Sequence, residues 1–90
     1  MILHIYATRN KKSGQFGKLD LQVMDKKQAI ESYSISVLEA DEKSKILLNE
    51  LDLYHIGTYD TATGKIEDNN PELLIDLGAV SYGKQEDKKD

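Results

Sequence analysis

The sequence predicts an α+β domain: a small, mainly antiparallel sheet of three to five strands with one principal helix packed on one face. Three observations predict it. Leu51 to Glu67, read LDLYHIGTYDTATGKIE, has the pattern strand, turn, strand. The opening stretch to Thr8 alternates as a strand does. Between the two, Ala29, Ile30, Tyr33, Val37 and Leu38 recur at helical spacing. A sheet with an apolar face needs a cover, and that stripe supplies one. Ninety residues make one domain. We expect it to span 1–80, with the polar tail 81–90 (SYGKQEDKKD) fraying.

In chain order, the first strand runs from Ile2 to Thr8. Ile2, His4 and Tyr6 face one way, and Leu3, Ile5 and Ala7 the other. Both faces are largely apolar, so we expect a central strand covered on two sides. His4 shares a face with Ile2 and Tyr6, which predicts a partly buried, hydrogen-bonded imidazole. Arg9 to Gly17 (RNKKSGQFG) is a loop rich in turn residues. Lys18 to Met24 reads as a second strand antiparallel to the first. Leu19, Leu21 and Val23 alternate with Lys18, Asp20 and Gln22, predicting a dry face and a wet one.

Asp25 caps the principal helix, expected to about Ala40, and Gln28 completes a capping-box pair. Asp41 caps a second, short helix to about Asn49; the alternative is a loop with Leu47 and Leu48 turned inward. In the third strand Leu53, His55, Gly57 and Tyr59 share one side, Tyr54, Ile56 and Thr58 the other. Asp60 to Gly64 then turns the chain, with Asp60 bonding its own backbone and Gly64 taking positive φ. The loop length fits a hairpin with a bulge. Asp68 to Pro71 reads as another turn, and Pro71 to Leu77 as either a helical turn or a last strand.

Composition narrows the function. There is no cysteine, which excludes disulfides, zinc–thiolate sites and cysteine nucleophiles. No apolar run approaches the ~18 residues of a membrane span. No basic leader precedes the first strand, so we expect a cytoplasmic protein. The net charge is −4, unevenly spread. Residues 1–30 carry six cations against two acids, or +4; residues 31–90 carry six against fourteen, or −8. Such polarity can orient a binding face.

No phosphate-cradling glycine loop is present, since Gly64-Lys65 lacks the upstream glycine. DTATGKIED around Asp60 fails the calcium-loop register, with Ala62 third and Lys65 sixth. His55 and Thr58 point to opposite faces of one strand, poor geometry for a nucleophile and its base. We therefore expect no enzyme, no cofactor and no metal. What remains is a loop with Arg9, Lys11, Lys12, Phe16 and Lys18. Its cations suit phosphates, and an aromatic ring among them suits a nucleic-acid base. The same residues also read as a solvated hairpin loop with Phe16 tucked into the core.

Leu53 to Glu67 (LYHIGTYDTATGKIE) resembles a segment of the small nonstructural proteins of gokushoviruses, single-stranded DNA phages of the microvirus group. Met1 to Arg9 (MILHIYATR) is similar to their N-terminus, and Pro71 to Leu74 (PELL) to a short element after their hairpin. The resemblance implies an accessory factor of single-stranded genome synthesis or packaging that contacts DNA. Arg9, Lys11, Lys12 and Lys18 would then meet phosphates, and Phe16 or Tyr6 would stack. Acidic residues of 31–90 suit a different role, a protein-interaction module: an adaptor, or an inhibitor of a host protein that mimics nucleic acid. The expected partners are thus single-stranded DNA or a host or phage protein, with no membrane. A homodimer through an exposed strand edge is a further expectation.

Overall fold

A computed structural model describes residues 1–80. The chain runs β1 (Ile2–Asn10), β2 (Asp20–Gln22), α1 (Lys26–Glu39), α2 (Glu42–Leu48), β3 (Leu51–Asp60) and β4 (Lys65–Asp76). The expected tail, 81–90, lies outside the described residues. The strands form one antiparallel sheet in the order β2-β1-β3-β4. The expected architecture holds: a four-stranded antiparallel sheet with one principal helix on one face.

The helix begins where its cap dictates. Asp25 accepts a hydrogen bond from the Gln28 backbone N–H at 2.9 Å, and Gln28 Oε1 accepts from the Asp25 N–H at 3.0 Å. That box satisfies two donors the first turn cannot. α1 then lays Ala29 and Val37 against the sheet, where they meet Tyr6, Leu53 and Leu77. Leu48 at the end of α2 packs on the same cluster, as do Met24, Tyr33, Leu51 and Leu74. α2 is a helix rather than the alternative loop, and Asp41 caps it by accepting from the Ser44 N–H at 2.7 Å.

The β3–β4 hairpin turns as read. Asp60 Oδ1 accepts from the Ala62 N–H at 2.9 Å, and Gly64 sits at φ 75°. β4, however, does not stop at Asn70. Asp68 to Pro71, expected as a turn, is absorbed into the strand as an irregularity. Gly57 pairs with Asp68 and His55 with Glu72, so Ile56 spans the residues between. Pro71 has no N–H to give a ladder, and an edge strand tolerates that loss. Residues 71–76 are therefore strand, not a helical turn; a short helical stretch follows at 77–80. Gly57 lets β4 pass close to β3, because a Cβ there would overlap the Glu67 carbonyl.

Two expectations about faces fail together. Leu19, Leu21 and Val23 were to form the dry side of the second strand. All three are exposed, and Asp20 and Gln22 turn toward α1 instead. The reason is a polar contact inside: the Tyr33 hydroxyl donates to Asp20 Oδ2 at 2.7 Å. Gln22 Nε2 donates to Asp20 Oδ1 at 2.8 Å. The second strand is also shorter than Lys18 to Met24, three residues only. Correspondingly, β1 is central but not covered twice. Ile2, His4 and Tyr6 lie on the α1 side, while no described element lies across Leu3, Ile5 and Ala7.

Candidate nucleic-acid interface

The uncovered face can be built row by row from strand register, since directly paired residues share a face. Arg9 pairs with Phe16 on one side and with Asp52 on the other, and Asp52 pairs with Asp76. The next row joins Ala7, Tyr54 and Leu73. Leu21, Ile5, Gly57 and Asp68 form the third. Leu3, Tyr59 and Ile66 form the fourth. Leu19 and Val23 lie just outside β2 on either side of Leu21 in sequence, and both are exposed. The register shift between Ile5 and Tyr6 is what brings Tyr59 to this face and leaves His55 on the other.

Ile5 and Ala7 form a buried floor, and large side chains stand around it. Phe16 is 44% exposed, and its ring meets Tyr54 edge-on, with centroids 5.1 Å apart and planes at 67°. Phe16 is therefore neither tucked into the core nor on a free finger. The loop beneath it is pinned. Asn10 N–H donates to the Gln15 carbonyl at 2.9 Å, and Asn10 Oδ1 accepts from the Lys12 and Ser13 N–H groups. Gly14 turns the tip at φ 74°, with the Arg9 guanidinium packed close against it.

The four cations of the loop have different situations. Lys11 donates to the Asn49 carbonyl at 3.0 Å and to Asp76 Oδ1, with Asp52 4.0 Å away. Burial works to raise the Asp76 carboxyl, but the Lys11 hydrogen bond and the Gly78 and Ala79 N–H groups outweigh it and hold the group below the usual carboxylate range. Lys11 is thus a clamp between the β1–β2 loop and the end of β4. Lys12 lies 3.3 Å from Glu50 with most of its side chain in water. Arg9 and Lys18 make no ion pair among the described residues. Tyr6, the other expected stacking ring, is fully buried, and its hydroxyl donates to the Met24 carbonyl at 2.8 Å. Burial first, then the nearby Asp25 charge, pushes its phenol up to about 12. Tyr6 is core and cannot stack on a ligand.

Leu21 of this face was not singled out by sequence; Tyr54 and Tyr59, like the other tyrosines, suit stacking on a base or a protein partner by residue type, but sequence alone does not set them beside Phe16 and Leu3. Pairing places them, and pairing is a property of register that single-strand patterns do not carry. The opposite face holds a different feature. His4 Nδ1 and His55 Nε2 are 3.0 Å apart, one donating and the other accepting, with Tyr6 alongside. Burial lowers the His55 pKa, and the Lys26 and His4 charges add to that against Glu72. A hollow at the hairpin end of that side is lined by Ile2, Thr58, Asp60, Thr63, Lys65 and Glu67. Among the described residues no three His, Asp or Glu side chains are grouped to hold a metal ion. No helix of the described residues is long and apolar enough to cross a membrane.

Sheet, helix and face together define a small α+β domain that leaves one side of its sheet open, floored by aliphatic residues and edged by aromatic rings. The chain belongs to the phage ORF5 protein family, whose model, described as Phage ORF5 protein, matches residues 3–80. Comparison with curated proteins and with solved structures finds no match.

Proposed function

We propose that this phage protein is a nonstructural accessory factor of the gokushovirus type that binds single-stranded DNA with the uncovered face of its sheet. It works by binding and not by catalysis, in the cytoplasm of the host. The observation that carries the reading is Phe16, half-exposed and propped edge-on by Tyr54 in the row beside Arg9. A ring held in that way offers a flat surface to a base, and stacking on aromatic side chains tolerates any sequence. Arg9 and Lys18 would take phosphates, and Lys12 would exchange Glu50 for one. Lys11 is assigned to the fold instead, because Asp76 and the Asn49 carbonyl already hold it. The overall acidity opposes a polyanion, so binding should be modest and steeply salt-dependent. Fluorescence anisotropy with a labelled single-stranded oligonucleotide at low and moderate salt tests this. Salt-sensitive binding that depends on Phe16 supports it; no binding at low salt refutes it.

A second reading has its own observation. Leu21, Ile66 and Leu73 are exposed aliphatic side chains on that same face, and Leu19 and Val23, exposed as well, adjoin Leu21 in sequence. Aliphatic rows suit a protein surface better than a base. Under this reading the chain is an interaction module for a host or phage protein, and capture of that partner would survive Phe16→Ala but not Leu21→Lys.

A further inference from the structure

Stacking leaves the open face indifferent to sequence, but one side chain on that face is not indifferent. Charge is divided across it. The cations Arg9, Lys12 and Lys18 stand at the end of β1 and in the loop that follows. The carboxylates Asp52, Asp68 and Asp76 stand on β3 and β4. Lys11 holds Asp76 and lies 4.0 Å from Asp52. Asp68 differs from both. It is exposed and makes no ion pair among the described residues. Its cross-strand partner is Gly57, which brings no side chain to hold it.

We infer that Tyr59 and Asp68 form a base-reading pair on this face. The ring stacks on one unpaired base, and the carboxylate accepts hydrogen bonds from the donor edge of that base. The preference is for guanine first and thymine last. This rests on the strand-binding reading and adds a base preference to it. Register sets the pair: Tyr59 lies opposite Ile66, and Asp68 opposite Gly57, two residues further along each strand on the same face. Such diagonal neighbours are about 7–8 Å apart, within reach of an aromatic side chain and of a base laid upon it. Tyr59 is half-buried between Leu3 and Ile66, which holds the ring and leaves part of it open. The Phe16–Tyr54 pair stands about 13 Å away, four residues of rise along β1 from Ala7 to Leu3. A strand of a few nucleotides reaches both.

The chemistry of the carboxylate sets the order of bases. An ionised carboxylate accepts and never donates. In an unpaired strand the Watson–Crick edge is free to be read. Guanine offers N1–H and an N2 amino hydrogen side by side, a match for the two oxygens of one carboxylate. Cytosine and adenine each offer one amino group. Thymine offers N3–H between two carbonyl oxygens, and both oxygens repel the carboxylate. In a duplex these edges are already paired, so the pair reads single strands only. The Asp68 charge also repels phosphate. The backbone therefore lies toward the loop cations, and the bases point toward β4.

Anisotropy titrations at low salt test the inference, with a labelled oligothymidylate and the same oligomer carrying guanines isolated between thymines. The guanine-bearing strand should bind about tenfold tighter. Asp68→Asn changes an exposed position, and circular dichroism checks that it folds. Its amide both donates and accepts, so it accommodates thymine. Affinity for the guanine-bearing strand should fall and that for oligothymidylate should rise, leaving little between them. If Asp68 only repels phosphate, the variant will tighten both strands equally, and that result overturns the inference. So does a parent protein that binds the two strands alike; salt-sensitive binding of both would leave the strand-binding reading standing. Absence of binding to either strand overturns the two together.

Discussion

Phe16→Ala separates binding from folding. The ring is 44% exposed, and its main ordered partner is Tyr54 at 5.1 Å. An edge-on aromatic pair contributes about 0.5–1.5 kcal/mol. A domain of this size holds on the order of 5–15 kcal/mol, so the variant stays folded. Binding should suffer more in proportion. One stacked base contributes about 1–3 kcal/mol, which is roughly a 5- to 150-fold loss of affinity. Phe16→Tyr keeps the ring and should bind within about twofold of the parent. The salt dependence checks the remaining contacts. With Arg9, Lys12 and Lys18 on phosphates, the slope of log affinity against log salt should be about −2 for a single strand. Anisotropy titrations of parent, Phe16→Ala and Phe16→Tyr at several salt concentrations supply all three quantities. If Phe16→Ala, shown folded by circular dichroism, binds as tightly as the parent, the stacking argument is wrong. A flat salt response would remove the phosphate contacts too.

Three further predictions concern the fold that presents this face. Lys11→Ala should cost about 1 kcal/mol of stability, because its ion pair with Asp76 is partly exposed and screened, while oligonucleotide affinity stays within about twofold; a large loss of affinity would return Lys11 to the binding surface. Gly57→Ala should cost about 2–3 kcal/mol in urea unfolding, since the new methyl meets the Glu67 backbone and neither strand can retreat without breaking pairs; an unchanged midpoint would show that the strands are farther apart. Stability should fall as pH drops below about 6.5. Burial lowers the folded His55 pKa from its ordinary 6.5, so the unfolded chain takes up the proton first. The loss continues until folded His55 protonates as well. Melts between pH 7.5 and 5.5 should show the decline, and His55→Gln should flatten it.

Local chemistry was legible wherever a residue acts on its own neighbours in sequence. Asp25 and Gln28 announce the helix start because the capping box closes over three residues. Asp60 and Gly64 announce the turn for the same reason. The helical stripe likewise set α1 on the sheet, with Ala29 and Val37 buried as spacing required. The clamp made by Lys11 was not legible, because its partners, Asn49 and Asp76, are 38 and 65 residues away. Nothing near Lys11 in sequence hints that it is held. The proline of β4 misled differently. Asn69, Asn70 and Pro71 are turn formers, but an edge strand can bulge around them and continue.

The inverted second strand is the instructive failure, because the proposed binding face depends on it. Alternation says that Leu19, Leu21 and Val23 share a side; all three are exposed, and Leu21 pairs with Ile5 on the open face. It does not say which side, since a strand rotated by 180° has the same pattern. Hydrophobicity alone would turn the leucines toward α1. What opposes it is a set of polar commitments: Tyr33 to Asp20, Gln22 to Asp20, and Tyr6 to the Met24 carbonyl. Each phenol sits against the core, where a hydroxyl left without a partner costs about 1–3 kcal/mol. Flipping the strand would strand both hydroxyls and break the Asp20 contacts, to bury three aliphatic side chains that α1 already has Ala29 and Val37 to replace. The leucines are therefore pushed outward by what lies behind them. A sheet face built in this way remains apolar and uncovered among the described residues. The Tyr33→Phe, Asp20→Leu double variant removes that constraint, so it should weaken oligonucleotide binding if the outward leucines are a consequence of the Tyr33–Asp20 contact. Unchanged binding in the folded double variant would show that some other force sets the facing of β2.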